Sequence, residues 1–255
     1  NYKIYLGDCL EVMKTIPDNS IDAVICDPPY GTTACSWDTV IPLDIMWTEL
    51  KRLVKPYKAI VIFGQEPFSS FLRLSNLDWY KYDWYWRKSR PSGFVNAKLK
   101  PLKDIEIISV FSSGCTANGS LKNMPYYPQN LKDVNIEWSR PKHYYGVDSA
   151  INSTRKSHKL SMTIEKSGYP RQVLDYSNPN NNTNHPTEKP VALLEYLINT
   201  YTKENETVLD FTMGSGSTGV ACLNINRDFI GIELNKKYFH IAETRLQQYN
   251  MMNKI

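Results

Sequence analysis

The chain has 255 residues, 42% hydrophobic and 22% charged, and 30 Lys and Arg against 26 Asp and Glu give a formal charge of +4. That length suits one sizeable α/β domain, with or without an inserted subdomain, and no apolar run reaches the ~18–20 residues that a membrane-spanning helix needs. Five scattered cysteines (Cys9, Cys26, Cys35, Cys115, Cys222) form no C-x-x-C and no Cys/His cluster of zinc spacing, so neither a disulfide framework nor a metal site is expected.

The opening NYKIYLGD carries neither the basic nor the apolar run of a secretory leader. KIYLG predicts a strand, CLEVMKTI a helix, DAVICD a buried strand, PLDIMWTELKRLV a second helix and AIVIFG a further strand. This alternation implies a parallel sheet covered by helices. Between residues 81 and 171, Lys and Arg recur among Tyr and Trp, as in KYDWYWRKSRPSGFVNAKLKPLK. The pattern suits a surface that tracks phosphates and stacks bases, and equally a solvated region with some core aromatics. After DIEIISVF the periodicity dissolves, and residues 112–175, rich in Asn, Ser, Pro, Lys and Tyr, read as an inserted loop-rich subdomain. The catalytic and cofactor-binding domain is then 1–111 with 176–255. Regularity returns with HPTEKPVALLEYLINTYT as a helix, TVLDF as a strand, a Gly-rich loop, the helix TGVACLNIN, the strand FIGIEL and the helix KKYFHIAETRLQQY.

Two stretches carry chemistry. VLDFTMGSGSTG holds Gly214-x-Gly216-x-x-Gly219 between a predicted strand and helix, where glycines permit a tight turn and close approach of a ligand to the backbone. Glu233 ends the next strand, placed to accept hydrogen bonds from ribose hydroxyls. The spacing points to a nucleoside-containing cofactor; on this motif alone a nicotinamide dinucleotide fits too. Near the other end, CDPPYG should stop a buried strand at Asp27, because Pro28 and Pro29 cannot donate to a ladder. The lone pair of a base's exocyclic amine is conjugated into the ring, which makes it a poor nucleophile. Asp27 and the Pro28 carbonyl are suited to accept its two N–H bonds and favour a tetrahedral nitrogen, and Tyr30 offers a flat face to a base turned out of its helix.

DPPYG, HPTEKP and DFTMGSGSTG, in that order, resemble the motifs of the β group of DNA amino-methyltransferases, which use S-adenosylmethionine. The resemblance implies a Rossmann-like methyltransferase core: a mostly parallel seven-stranded sheet with a reversed last strand, a circularly permuted motif order, and an inserted target-recognition subdomain at 112–175. It makes Asp27, Pro28, Pro29 and Tyr30 the catalytic tetrapeptide, with Asp27 also beside the cofactor. Asp210, Phe211, Gly214 and Gly216 become the cofactor loop and Glu233 its ribose acid. Asp8 matches the acid near the cofactor adenine, with Cys9 beside it, and Thr187 and Lys189 match the segment near the methionine carboxylate. Glu188 stands where the family usually carries Gln. Trp86 and Lys88 lie where the family holds the flipped base. Plain structural roles compete at several of these positions: Asp8 as a helix cap, Phe211 and Trp86 as core, Lys189 as a solvated charge, His185 as a turn-packing residue.

The implied reaction is direct methyl transfer to the N6 amino group of adenine in duplex DNA after base flipping, with no metal. In the family Asp at the first tetrapeptide position goes mainly with adenine and Ser mainly with cytosine, so cytosine N4 is the rival target. A cytosine C5 enzyme needs a cysteine after a proline, and none of the five cysteines follows one. Protein-glutamine or RNA methylation, and a non-catalytic DNA-binding module, are the alternatives from other classes. The implied partners are double-stranded DNA, with a second copy of the chain and a cognate restriction endonuclease left open. The implied location is the cytoplasm, in a bacterial or phage setting and away from membranes.

Overall fold

The computed structural model describes residues 1–32, 38–139, 161–179 and 188–252. It divides into two compact units, Asn1–Tyr127 with Gln172–Ile255, and Pro128–Arg171. Among the described residues the strands in chain order are β1 (Tyr2–Leu6), β2 (Ile21–Cys26), β3 (Val54–Gly64), β4 (Tyr80–Ser92), β5 (Lys103–Phe111), β6 (Lys132–Ser139), β7 (Ser161–Ser167), β8 (Val173–Tyr176), β9 (Thr207–Asp210) and β10 (Asp228–Glu233). The helices are α1 (Cys9–Met13), α2 (Leu43–Leu53), α3 (Phe68–Leu74), α4 (Val191–Tyr201), α5 (Ser217–Asn224) and α6 (Lys236–Met252).

The larger unit is built on one sheet in the order β1-β10-β9-β2-β3-β5-β4-β8. Neighbours from β1 to β3 pair in parallel. β5 is antiparallel to both β3 and β4, and β8 is parallel to β4, so β5 alone runs against the rest. The expected mostly parallel sheet with a reversed last strand is present: β5, last in chain order of the run β1 to β5, is the reversed one. Eight strands among the described residues replace the expected seven, because the four-residue β8, too short to show a period in the sequence, adds at the edge beside β4. The permuted order is visible in the middle of the sheet, where β2 pairs with β9, while β1 pairs with β10.

Successive side chains of a strand point to opposite faces, and β3 shows what that does here. Ala59, Val61 and Phe63 pack with Leu193, Leu197 and Val220 of α4 and α5, whereas Ile60 and Ile62 pack with Met46, Leu50 and Leu72 of α2 and α3. Both faces of the sheet are therefore covered. Each fully buried Val, Ile or Leu contributes about 1.5–3 kcal/mol, which makes the strands a stiff frame for the loops at their ends.

β4 decides between the two readings of its stretch, in favour of core aromatics. Trp84 and Trp86 are core residues, 3% and 2% exposed, and the Trp84 indole N–H donates to Tyr201 Oη at 2.6 Å. Met124 is also buried and the Tyr127 N–H donates to the Thr200 carbonyl at 2.8 Å, so residues 112–127 belong with the larger unit. The smaller unit is an antiparallel ribbon of β6 and β7. Nearly every β6 side chain is exposed, yet Val134, Ile136 and Trp138 alternate with Asn135, Glu137 and Ser139, a strand period that the reading of 112–175 as loop-rich passed over.

Candidate active site

The carboxyl ends of β1, β2, β9 and β10 and the amino end of the reversed β5 come to one edge of the sheet. The segments that leave them line a cavity of about 1080 Å³. At one end of it β2 stops at Cys26 and the tetrapeptide begins. Its exit is pinned by Asp38, whose carboxylate accepts the N–H groups of Tyr30, Gly31 and Thr32 at 2.7, 2.8 and 2.9 Å. Gly31 makes that turn at φ +67°, and a Cβ there would meet Val40 Cγ2 at 2.8 Å, so a larger residue is excluded twice over.

The Asp27 carboxylate is held by a buried network. Lys189 Nζ pairs with Asp27 Oδ2 and, at 2.9 Å, with Glu106 Oε1. Lys88 Nζ lies 2.7 Å from Glu106 Oε2. The Tyr30 hydroxyl donates to Asp27 and lies 3.3 Å from Glu106, while its ring stacks on Phe68 with centroids 5.3 Å apart. Burial pushes the Asp27 carboxyl up; Lys189 opposes, Glu106 adds, and the net position is above the ordinary aspartate range. Burial also pushes Glu106 up, but there Lys189 and Lys88 win and hold it below its ordinary value. Burial disfavours the Lys189 ammonium, and the two carboxylates more than offset that. Two carboxyls a few ångströms apart are thus driven in opposite directions, a common mark of a functional site.

The far end of the cavity is shaped by backbone. Gly214 and Gly216 take φ of +52° and +80°, and a Cβ on Gly216 would lie 3.0 Å from the Ala242 Cβ. Glu233 accepts the N–H of Gly214 at 2.9 Å through one oxygen and that of Asn235 at 2.7 Å through the other. Burial raises its pKa, and those amides only partly oppose it. A carboxylate offers about four acceptor sites, so two remain for a ligand. Asp210 accepts the Thr218 hydroxyl at 2.6 Å and the Thr212 N–H at 3.1 Å; burial, opposed by those bonds, pushes its carboxyl up to about 7. The Thr212 hydroxyl donates to the Asp27 carbonyl at 3.1 Å and so links the two ends.

The other expected residues fall as follows. Pro28 and Pro29 line the cavity beside Asp27. Asp8 caps α1, accepting the N–H of Leu10 at 2.8 Å and of Glu11 at 3.4 Å, and lines the cavity as well. Cys9 follows it as a buried thiol pushed up to about 12 by burial and by Asp8. Phe211 is 1% exposed and packs in the core. Lys189, expected near the methionine carboxylate, lines the same cavity and pairs with Asp27 and Glu106. Trp86 is held in the core, its indole N–H donating to the Tyr176 carbonyl at 2.9 Å, and Lys88 Nζ sits 5.2 Å from its ring centroid. Both Trp86 and Lys88 nevertheless line the cavity. Thr187 and His185 lie outside the described residues. Glu188, the departure from Gln, meets Arg245 Nη2 at 2.9 Å and the Ser217 hydroxyl at 3.2 Å, so the extra charge has a partner. Sequence reasoning missed Glu106, Asp38 and Arg245. Only Glu106 left a signal, an acid set between Ile105 and Ile107 in β5.

A DNA methylase family model matches residues 21–244. The chain is 27% identical over 267 aligned positions to the type II methyltransferase M.HpaI of Haemophilus parainfluenzae, covering 99% of this chain and 77% of that protein. It is 28% identical over 279 positions to the type II methyltransferase M.HinfI of Haemophilus influenzae, covering 96% and 68%. Among solved structures, the M1.HpyAVI–SAM complex matches with a TM-score of 0.64 at 26% identity, over 96% of this chain and 99% of that one. PvuII DNA methyltransferase (cytosine-N4-specific) matches with a TM-score of 0.64 over 99% and 92%, and at 17% identity the likeness is one of fold.

Proposed function

The chain belongs to the N6/N4 DNA methylase family, and we propose that it methylates the N6 amino group of adenine in duplex DNA, with S-adenosylmethionine as the methyl donor. The observation that carries the reading is one cavity holding both Asp27, at the end of β2, and the Gly214 loop with Glu233.

The residues fit that donor. Glu233 keeps acceptor sites for ribose hydroxyls, Asp8 lines the cavity as the acid expected near the adenine, and the glycine loop leaves room for close approach; a similar protein has been solved as a SAM complex. When bound, S-adenosylmethionine supplies an electrophilic methyl group. The protein's part is to make the amine a nucleophile. Asp27 accepts one amine N–H and stabilises positive charge as it develops on nitrogen; the Pro28 carbonyl accepts the other. Lys189 must loosen from Asp27 for this, and its second seat on Glu106 at 2.9 Å lets it do so without becoming an unpaired buried charge. The raised pKa of Asp27 also makes it a better acceptor for the proton that the amine loses. Adenine is preferred over cytosine because Asp occupies the first position of the tetrapeptide.

The same proposal assigns target reading to the region 112–175, in which the smaller unit Pro128–Arg171 lies. It leaves a second copy of the chain and a cognate endonuclease as partners to be sought, and sets the action in the cytoplasm. No helix among the described residues is long and apolar enough to cross a membrane. The test is to incubate the protein with methyl-labelled S-adenosylmethionine and unmodified bacterial genomic DNA, digest to nucleosides and identify the product by mass spectrometry. N6-methyladenine is expected; N4-methylcytosine alone would replace adenine, and label on RNA or protein alone would remove DNA.

A further inference from the structure

Between Trp84 and Lys103 there are six basic residues and no acidic one. The structure folds this stretch into the β4–β5 hairpin, paired as far out as Ser92 with Lys103. Its base is the wall of the active-site cavity: Lys88, Arg90, Ser92 and Glu106 line that space, and Lys103 Nζ lies 2.9 Å from Oε1 of Gln65, another lining residue. Its tip is apolar. Phe94, Val95 and Leu99 are 67%, 98% and 86% exposed, and the exposed Lys98 and Lys100 alternate with Leu99. The tip is held in shape by turn hydrogen bonds, Asn96 N–H to Gly93 O at 3.0 Å, Ala97 N–H to Phe94 O at 3.1 Å and Lys100 N–H to Asn96 O at 3.1 Å. Three large apolar side chains are therefore presented to solvent by an ordered turn.

We infer that this hairpin is a DNA-engaging arm, whose lysines grip phosphates and whose apolar tip enters the duplex beside the base being turned out. The inference rests on the DNA reading above and extends it to a surface that reading did not assign. Charge selects the occupant. A polyanion complements the outer arm, where Arg90, Lys98, Lys100 and Lys103 stand with no acid between them, whereas a two-fold contact between copies would set the arm against its own charge. Position selects the mode. An adenine drawn into the cavity leaves a gap in the stack at the cavity's rim; Arg90 and Ser92 of the arm line that cavity and Phe94 follows two residues beyond, and apolar side chains inserted between base steps hold such a gap open.

Two surface variants separate the two parts of the arm. Lys98→Ala with Lys100→Ala should weaken binding to a random-sequence 30-base-pair duplex about tenfold at low salt, and lower the slope of log affinity against log salt by about 2, since each phosphate contact contributes about 0.9. Phe94→Ser with Val95→Ser and Leu99→Ser should slow methyl transfer to native genomic DNA at least about tenfold at subsaturating DNA, with S-adenosylmethionine affinity unchanged by calorimetry as the check on folding. An unchanged salt slope in the first variant, or unchanged transfer in the second, would overturn the inference. So would a wild-type dimer that the second variant turns into a monomer, because a second copy would then be what covers the tip. If the wild type transfers no methyl to DNA, the proposed function fails by itself, and the arm is judged by the duplex-binding measurement alone.

Discussion

At the Asp27 end of the cavity the polar side chains satisfy one another, whereas at the Glu233 end they are satisfied by main-chain amides and local hydroxyls. Asp27, Tyr30, Lys88, Glu106 and Lys189 come from β4, β5 and the segments after β2 and before α4, and each touches at least one of the others. Glu233 and Asp210 are instead held by groups within about twenty residues along the chain, among them Gly214, Asn235, Thr212 and Thr218. A site that must move charge during its reaction is built from side chains that share charge. A site that must only receive a ligand is built from backbone, which cannot be repartitioned. Damage should therefore spread at the first end and stay local at the second.

Asp27→Ala tests the first half of that contrast most severely. It should lower single-turnover methyl transfer by at least about 10³-fold while S-adenosylmethionine affinity, read by calorimetry, stays within about threefold. Equal losses in both would show that the two ends are not separable. Lys189→Met should act through stability. It leaves Asp27 and Glu106 without the cation they share, which costs about 3–5 kcal/mol when one member of a buried pair is removed. The pH dependence gives the sign. Without Lys189 the Asp27 carboxyl, already above its ordinary range, loses the cation that opposes its burial and rises further, so the native state binds more protons than the unfolded state and stability falls as pH rises through that window. The deficit against wild type, measured by urea unfolding, should be smaller at pH 5 than at pH 8. A deficit that does not change with pH would make the loss one of packing.

The two ends also differed in how far they could be read from the sequence. The Glu233 end is local in the chain, so strand, glycine loop, helix and acid appear at fixed spacing, and Gly214, Gly216 and Glu233 all line the cavity or shape it. At the other end only Asp27, its prolines and Tyr30 announce themselves. Lys189 is 162 residues from Asp27, and no local pattern links them; only the fold shows that it stands on that carboxylate. The same reasoning holds for the sheet. β2, β3, β9 and β10 are short apolar runs buried on both faces and legible as strands, while β4 was hidden because its basic and aromatic residues suit a nucleic-acid surface and a solvated region with core aromatics equally well. The basic residues do reach a surface, at the hairpin, but Trp84 and Trp86 point into the core.

Glu233→Ala should show the locality of the far end. Loss of the ribose acceptor should weaken S-adenosylmethionine about tenfold, roughly 1.4 kcal/mol, with turnover at saturating cofactor within about twofold of wild type. Turnover that falls as far as affinity would mean that Glu233 reaches the amine end.

Asp210→Asn should give the smallest effect and the sharpest comparison, because Asp210 belongs to the far end but reaches Asp27 through Thr212. Burial sets its carboxyl at about 7 in the native state, against about 3.9 in an unfolded chain. Between those values the native state holds a proton that the unfolded state has lost, so the contribution of Asp210 to stability declines as pH rises from about 4 to about 7. Asparagine has nearly the same shape, accepts the Thr212 N–H and donates to a rotated Thr218 hydroxyl, and it carries no titration. The variant should thus be more stable than wild type at pH 8, by about 1–2 kcal/mol, and the gap should close towards pH 4. A gap that widens as pH falls would show that Asp210 is ionised and favourably paired in the native protein. If the pH–rate profile of methyl transfer keeps its acid limb in this variant, Thr212 joins the two ends in position only; if the limb moves, charge passes between them and the contrast drawn here is too sharp.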